Sequence, residues 1–114
     1  MKQFRWYGWG SADRNYSLDD RPGAWTFICA ALNLSGNERY PPCDLDQIEL
    51  HPPRIDLHDL SRIASTDTTK YIRILHGYGK SYRDLIHLRR GEIFNPPDAV
   101  IYPDDEDQVL RIIQ

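Results

Sequence analysis

The chain has 114 residues, with 14 Lys and Arg against 17 Asp and Glu, and a formal net charge of -3. That length holds one modest domain, and that charge gives no global pull toward nucleic acid or an anionic membrane. No apolar run approaches the ~20 residues needed to span a bilayer, and Met1-Lys2-Gln3-Phe4-Arg5-Trp6 lacks the apolar core of a signal peptide. The expected location is cytoplasmic. Cys29 and Cys43 form neither a metal-ligand pair nor a disulfide framework. Two reduced thiols are the simplest reading, and a Cys29–Cys43 bridge stays open.

Phe4 to Gly10 concentrates four aromatics and two glycines, which argues for an extended or turning segment with rings packed on a neighbour. Asp19-Asp20-Arg21-Pro22-Gly23 reads as a helix entry with Pro22 near the first turn. Trp25, Ile28, Cys29 and Leu32 follow at i, i+3, i+4 and i+7, one face of a helix, with Gly36 as its stop. Residues 37–53 are a proline-rich linker with one helical turn near Leu45 to Ile48. Ile55, Leu57, Leu60 and Ile63 predict helix around Leu57 to Ala64. Ser65 or Thr66 is expected to cap the next helix, whose apolar side is Tyr71, Ile72 and Leu75 and which ends at Gly77 and Gly79. Ser81 with Asp84 three residues on resembles a capping box. Tyr82, Leu85 and Ile86 form the face of that helix, closed by Gly91, and the two helices are expected to pack through Tyr71, Ile72, Leu75, Leu85 and Ile86. Ala99 to Tyr102 is a short apolar run with the pattern of a buried strand. Asp104 or Asp105 caps a last helix, where the acidic run 104–107 meets the positive end of the helix dipole. Val109, Ile112 and Ile113 give its apolar face.

Few residues point to chemistry. Gly79-Lys80-Ser81 ends like a phosphate-binding loop, yet Ile74 stands where that motif needs its first glycine, and helix precedes it rather than strand. His51, His58, His76 and His87 include no i, i+4 pair of the kind that ligates zinc. His76 falls at a helix end, where a cation is favoured. Lys80, Arg83, Arg89 and Arg90, interleaved with Tyr78 and Tyr82, make a basic patch that reads as a solvated helix face rather than a nucleic-acid site. Asp104, Asp105, Glu106 and Asp107 are explained by the helix terminus without a metal. No catalytic, cofactor-binding or metal-ligating residue is assigned.

The stretch from His76-Gly77-Tyr78-Gly79-Lys80-Ser81-Tyr82-Arg83-Asp84-Leu85-Ile86 through Leu88-Arg89-Arg90-Gly91 to Pro97-Asp98-Ala99-Val100-Ile101-Tyr102-Pro103 resembles the N-terminal region of FAD-linked oxidases. Within these vanillyl-alcohol-oxidase-type flavoproteins it is most similar to the alkylglycerone-phosphate synthase group. Arg5-Trp6-Tyr7-Gly8-Trp9-Gly10 is similar to the aromatic-glycine opening of that group, and Pro52-Pro53-Arg54-Ile55 falls at its proline-rich link. The resemblance implies a mainly α fold with a minor β part. Residues 1–95 would be a helical leader, and 96–114 the first strand and helix of an incomplete, PCMH-type FAD-binding domain. The complete family protein binds FAD on a glycine-rich loop, where backbone amides reach the pyrophosphate. It acts on a small hydroxy acid or an acyl-glycerone phosphate. No such loop occurs here, so no cofactor is expected in this chain, and its strand would be unpaired or continued elsewhere. The expected partners are the remainder of a flavoenzyme, or a second copy joined through residues 98–114, without nucleic acid. The competing reading is a stand-alone module that docks onto a partner protein, and the coding sequence after Gln114 would discriminate the two.

Overall fold

The computed structural model describes residues 3–14, 16–36 and 40–114. The aromatic opening is a tight hairpin. Phe4 bridges Ser11, the Arg5 amide donates to the Gly10 carbonyl at 3.0 Å, and Gly10 turns at φ 82°. Its centre, Trp6, is buried and meets the Tyr7 ring edge-on.

Helix α1 spans Ala24–Leu32. It starts after Gly23 in a left-handed conformation, so Pro22 lies before the helix and not in its first turn. It ends at Asn33, φ 53°, not at Gly36. Asparagine is the residue after glycine that best tolerates this backbone, and the amides of Asn33 and Leu34 both close on the Cys29 carbonyl. No residue of α1 is buried. Residues 37–39 of the expected linker lie outside those described. The linker's helical turn is a 3-10 turn at Leu45–Gln47.

Helix α2, His58–Ile63, is followed by strand β1, Ser65–Asp67. This corrects the reading of Ser65 or Thr66 as a helix cap. The true N-cap of helix α3, Lys70–Gly77, is Thr69, whose amide is held by Asp67 Oδ1 at 2.7 Å. Helix α4, Tyr82–Arg90, carries the expected capping box. Ser81 Oγ accepts from the Asp84 amide, and Asp84 Oδ2 accepts from the Ser81 amide. Gly91 closes α4 at φ 72°. Strand β2, Val100–Tyr102, pairs antiparallel with β1, Thr66 facing Ile101, so of the two expectations for this strand the unpaired one is set aside. Helix α5, Glu106–Ile113, begins at Asp105, whose Oδ1 accepts from the Gln108 amide at 2.8 Å. It packs against α2. The architecture is mainly helical with a two-stranded antiparallel sheet.

The core joins segments far apart in sequence: Trp6, Ile48, Ile74 and Leu88, with Tyr71, Tyr78 and Leu85 packed around them. The buried stripes are therefore Tyr71, Ile74 and Tyr78 on the α3 side and Leu85 and Leu88 on α4. The expected face containing Tyr82 is rotated outward, and Tyr82 is 79% exposed. The reason is what covers the helices. Trp6 and Ile48 come from irregular segments and select Ile74 and Leu88 as the inner positions. The molecule is long and narrow, 57 × 26 × 21 Å.

Candidate interaction surface

The Gly79-Lys80-Ser81 segment is a structural staple. The Asp84 carboxylate takes the Ser81 amide at 3.1 Å and the Ser81 hydroxyl at 2.8 Å. A carboxylate thus occupies the place a phosphate would need. The same oxygen lies 2.8 Å from where a Cβ on Gly79 would stand, which explains the glycine. Lys80 Nζ donates to the carbonyls of Trp6, 2.8 Å, and Arg5, 3.2 Å, and burial pushes its pKa down. Tyr71 donates its hydroxyl to the Phe4 carbonyl at 2.7 Å. These bonds tie the aromatic hairpin to the α3–α4 corner.

A second set of ties holds the segment leading into β2. Arg73, 4% exposed, donates from Nε to the Pro97 carbonyl at 2.7 Å and from Nη1 to the His51 carbonyl at 2.9 Å. Arg54 grips Asp98 with Nε at 3.1 Å, Nη2 at 3.2 Å and its own amide at 3.1 Å. The guanidinium hydrogen bond holds the Asp98 carboxyl below the ordinary carboxylate range. Sequence reasoning missed both arginines, because nothing local announces an arginine whose partners are carbonyls and a carboxylate far along the chain.

The histidines are dispersed. His51 Nδ1 meets the Pro52 carbonyl at 2.8 Å, and the His58 amide bonds Asp56. His76 lies in the last turn of α3, its ring edge-on to Tyr102. His87 pairs with Glu92 at 2.7 Å, against the Phe94 ring. Among the described residues no group of three His, Cys, Asp or Glu side chains converges to hold a metal. Cys29 and Cys43 are free thiols, both half-buried.

The basic patch divides by role. Lys80 is taken by the staple. Arg89 donates to the Tyr40 carbonyl at 2.8 Å and lies over the Tyr7 ring at 5.9 Å. Arg83 and Arg90 project into solvent. Beside them opens an apolar groove of about 1000 Å³, walled by Trp9, Tyr40, Pro42, Tyr82, Leu85 and Ile86 and rimmed by Arg89 and Arg90. Its walls are largely aromatic and its rim is cationic. It holds no pair of groups poised for acid–base or nucleophilic work. No helix among the described residues is long and apolar enough to cross a membrane.

No family model matches the chain. An alkyldihydroxyacetonephosphate synthase of Dictyostelium discoideum is 28% identical over 142 residues, covering 99% of this chain and 23% of that protein. Protein Rv2250A of Mycobacterium tuberculosis is 30% identical over 109 residues, covering 90% of this chain and 71% of that protein. A solved structure of alkyldihydroxyacetonephosphate synthase superposes with a TM-score of 0.79 at 23% identity, over 98% of this chain and 24% of that one. The chain therefore spans about a quarter of the length of the synthases it matches. It belongs to one family with Protein Rv2250A, and by sequence and fold it is a relative of a quarter-length region of the alkyldihydroxyacetonephosphate synthases.

Proposed function

We propose that this chain forms the N-terminal quarter of an FAD-dependent, alkyldihydroxyacetonephosphate-synthase-like flavoenzyme and neither retains flavin nor turns over substrate alone. Residues 1–95 act as the leader, and 96–114 open the flavin domain. The observation that carries the reading is the match of nearly the whole chain to one quarter of the synthases, in fold as well as sequence. The arginine ties support it, since Arg73 on Pro97 and Arg54 on Asp98 fix the leader to the β2–α5 unit from which a flavin domain would continue. In the complete enzyme the flavin would take part in exchanging the acyl group of an acyl-glycerone phosphate for an alkyl group, or in oxidising a small hydroxy acid. The Ser81 amide is taken by Asp84 and the Gly91 amide closes the end of α4. Excess FAD followed by desalting tests the first half: the chain is expected to emerge colourless, and stoichiometric yellow protein overturns it. Fusion ahead of the remaining three quarters of a synthase tests the second. The fusion is expected to bind FAD and catalyse, and a fusion that folds and binds FAD yet lacks activity overturns the leader role.

A second reading, a module that docks onto a partner protein, is favoured by α1, where Phe27 and Leu32 lie mostly exposed.

A further inference from the structure

We propose that the groove beside α4 binds a flat aromatic anion, an aryl carboxylate or sulfonate. Three of the residues lining it are aromatic and unusually open: Trp9, Tyr40 and Tyr82 are 65%, 77% and 79% exposed. Large apolar side chains exposed singly are ordinary, but three around one concavity of about 1000 Å³ mark a binding surface. Rings gain from stacking on rings what an alkyl chain does not. Pro42, Leu85 and Ile86 complete the apolar lining.

The groove is preformed. Its Tyr40-to-Cys43 wall is fastened to α4 at both ends. The Cys43 amide donates to the Arg89 carbonyl at 2.9 Å, and the Arg89 guanidinium donates to the Tyr40 carbonyl at 2.8 Å. Pro41 and Pro42, between these two ties, have fixed φ. Trp9 belongs to the hairpin that Lys80 and Tyr71 tie to the α3–α4 corner. A ligand therefore meets walls already in place and spends little affinity on ordering them. No residue after Arg90 lines the groove. The β2–α5 unit packs on α2, α3 and β1 instead, so the groove lies outside the unit from which a flavin domain would continue.

Charge selects the anion. None of the lining residues is acidic, and Arg89 and Arg90 stand at the rim. Arg89 is engaged with Tyr40. Arg90 is exposed and, among the described residues, pairs with no carboxylate. The Gly91 and Glu92 amides already meet the Leu88 and His87 carbonyls that end α4. The Arg90 guanidinium is thus the group left to receive an oxyanion, to which it offers parallel donors. The proposal does not rest on the flavin reading.

Titration of the full chain with anilinonaphthalene sulfonate, an aromatic anion that brightens in apolar surroundings, tests it. Saturable binding is expected. Tyr82→Ser and Trp9→Leu are each expected to weaken it about threefold to tenfold, the loss of one ring contact. Arg90→Gln is expected to weaken it about as much and to leave binding of the neutral N-phenylnaphthylamine unchanged, which separates charge from rings. Tyr16→Ser, at a tyrosine 86% exposed and outside the groove, is expected to change neither. Naphthoate is expected to displace the dye at concentrations where octanoate does not. Circular dichroism checks each variant. If Trp9→Leu loosens the hairpin, Tyr82→Ser and Arg90→Gln decide alone, since both side chains are exposed. The chain fused ahead of the rest of a synthase is expected to keep a dye site that Arg90→Gln weakens. Absence of saturable binding, groove variants equal to the unaltered chain, or octanoate competing as well as naphthoate overturns the proposal. So does a folded fusion without that site, which would make the groove a seam between parts of one protein.

Discussion

Arg73 is the residue on which the β2 approach depends. Its guanidinium is almost fully buried and answers two carbonyls, those of His51 and Pro97, from separate segments. Arg73→Met keeps much of the volume and removes both charge-assisted bonds, leaving two acceptors facing an apolar chain. The expected loss is about 2–4 kcal/mol, read as a lowered denaturant midpoint at unchanged slope, and a loss below about half a kcal/mol would show that those carbonyls find water. Asp98 gives a pH signature instead. The Arg54 hydrogen bond depresses its pKa, so its contribution to stability is present above the ordinary carboxylate range and is lost as pH falls through the depressed value. Asp98→Asn is expected to be less stable than the unaltered chain at neutral pH, and the two are expected to converge in acid. A difference that stays constant across the acid limb would assign the role of Asp98 to packing.

At the scale of elements, the two ends of α4 and the start of α5 were the most legible features and the strand pairing the least. Capping is local. Ser81 with Asp84, Asp105 before α5 and Gly91 after α4 are all where residue type and spacing put them. Pairing is not local: Ser65-Thr66-Asp67 suits a cap as well as a strand, and only Val100–Tyr102, far along the chain, decides for the strand. Core faces failed for a related reason. Periodicity reports helical stripes, but Trp6 and Ile48, which select Ile74 and Leu88, come from a hairpin and a linker with no period at all. The candidate surface was half legible: the basic, tyrosine-rich patch was visible, while the wall formed by Trp9 and Tyr40 needed the fold. Gly91 joins these levels, because it is both the left-handed end of α4 and the floor under Cys43. A Cβ there would lie 2.9 Å from Cys43 Sγ and 3.4 Å from Ile48 Cγ1. Gly91→Ala combines a positive φ with that overlap and is expected to cost about 1–3 kcal/mol. Thermal unfolding measures it, and an unchanged midpoint would mean that the Cys43 loop yields freely.

The whole molecule is drawn out along one axis. Its radius of gyration is 18.7 Å, against about 13 Å for a compact chain of this length. That shape leaves stability unevenly distributed, concentrated where Trp6, Ile48, Ile74 and Leu88 meet. Helix α1 buries no residue, and α5 buries none either, relying on its contact with α2. The sheet has two strands of three residues each, a size that is marginal without further cover. Local opening is easiest where few apolar contacts break. In a dilute, proven monomer, the amides of α1 and of residues 99–113 are therefore expected to exchange well before those of α4, with β2 slower than α5 because β1 holds it. Hydrogen exchange followed by mass spectrometry resolves each segment. Exchange in 99–113 as slow as in α4, in the monomer, would show that the β2–α5 unit is already fully supported by α2 and β1 and needs no further surface to complete it.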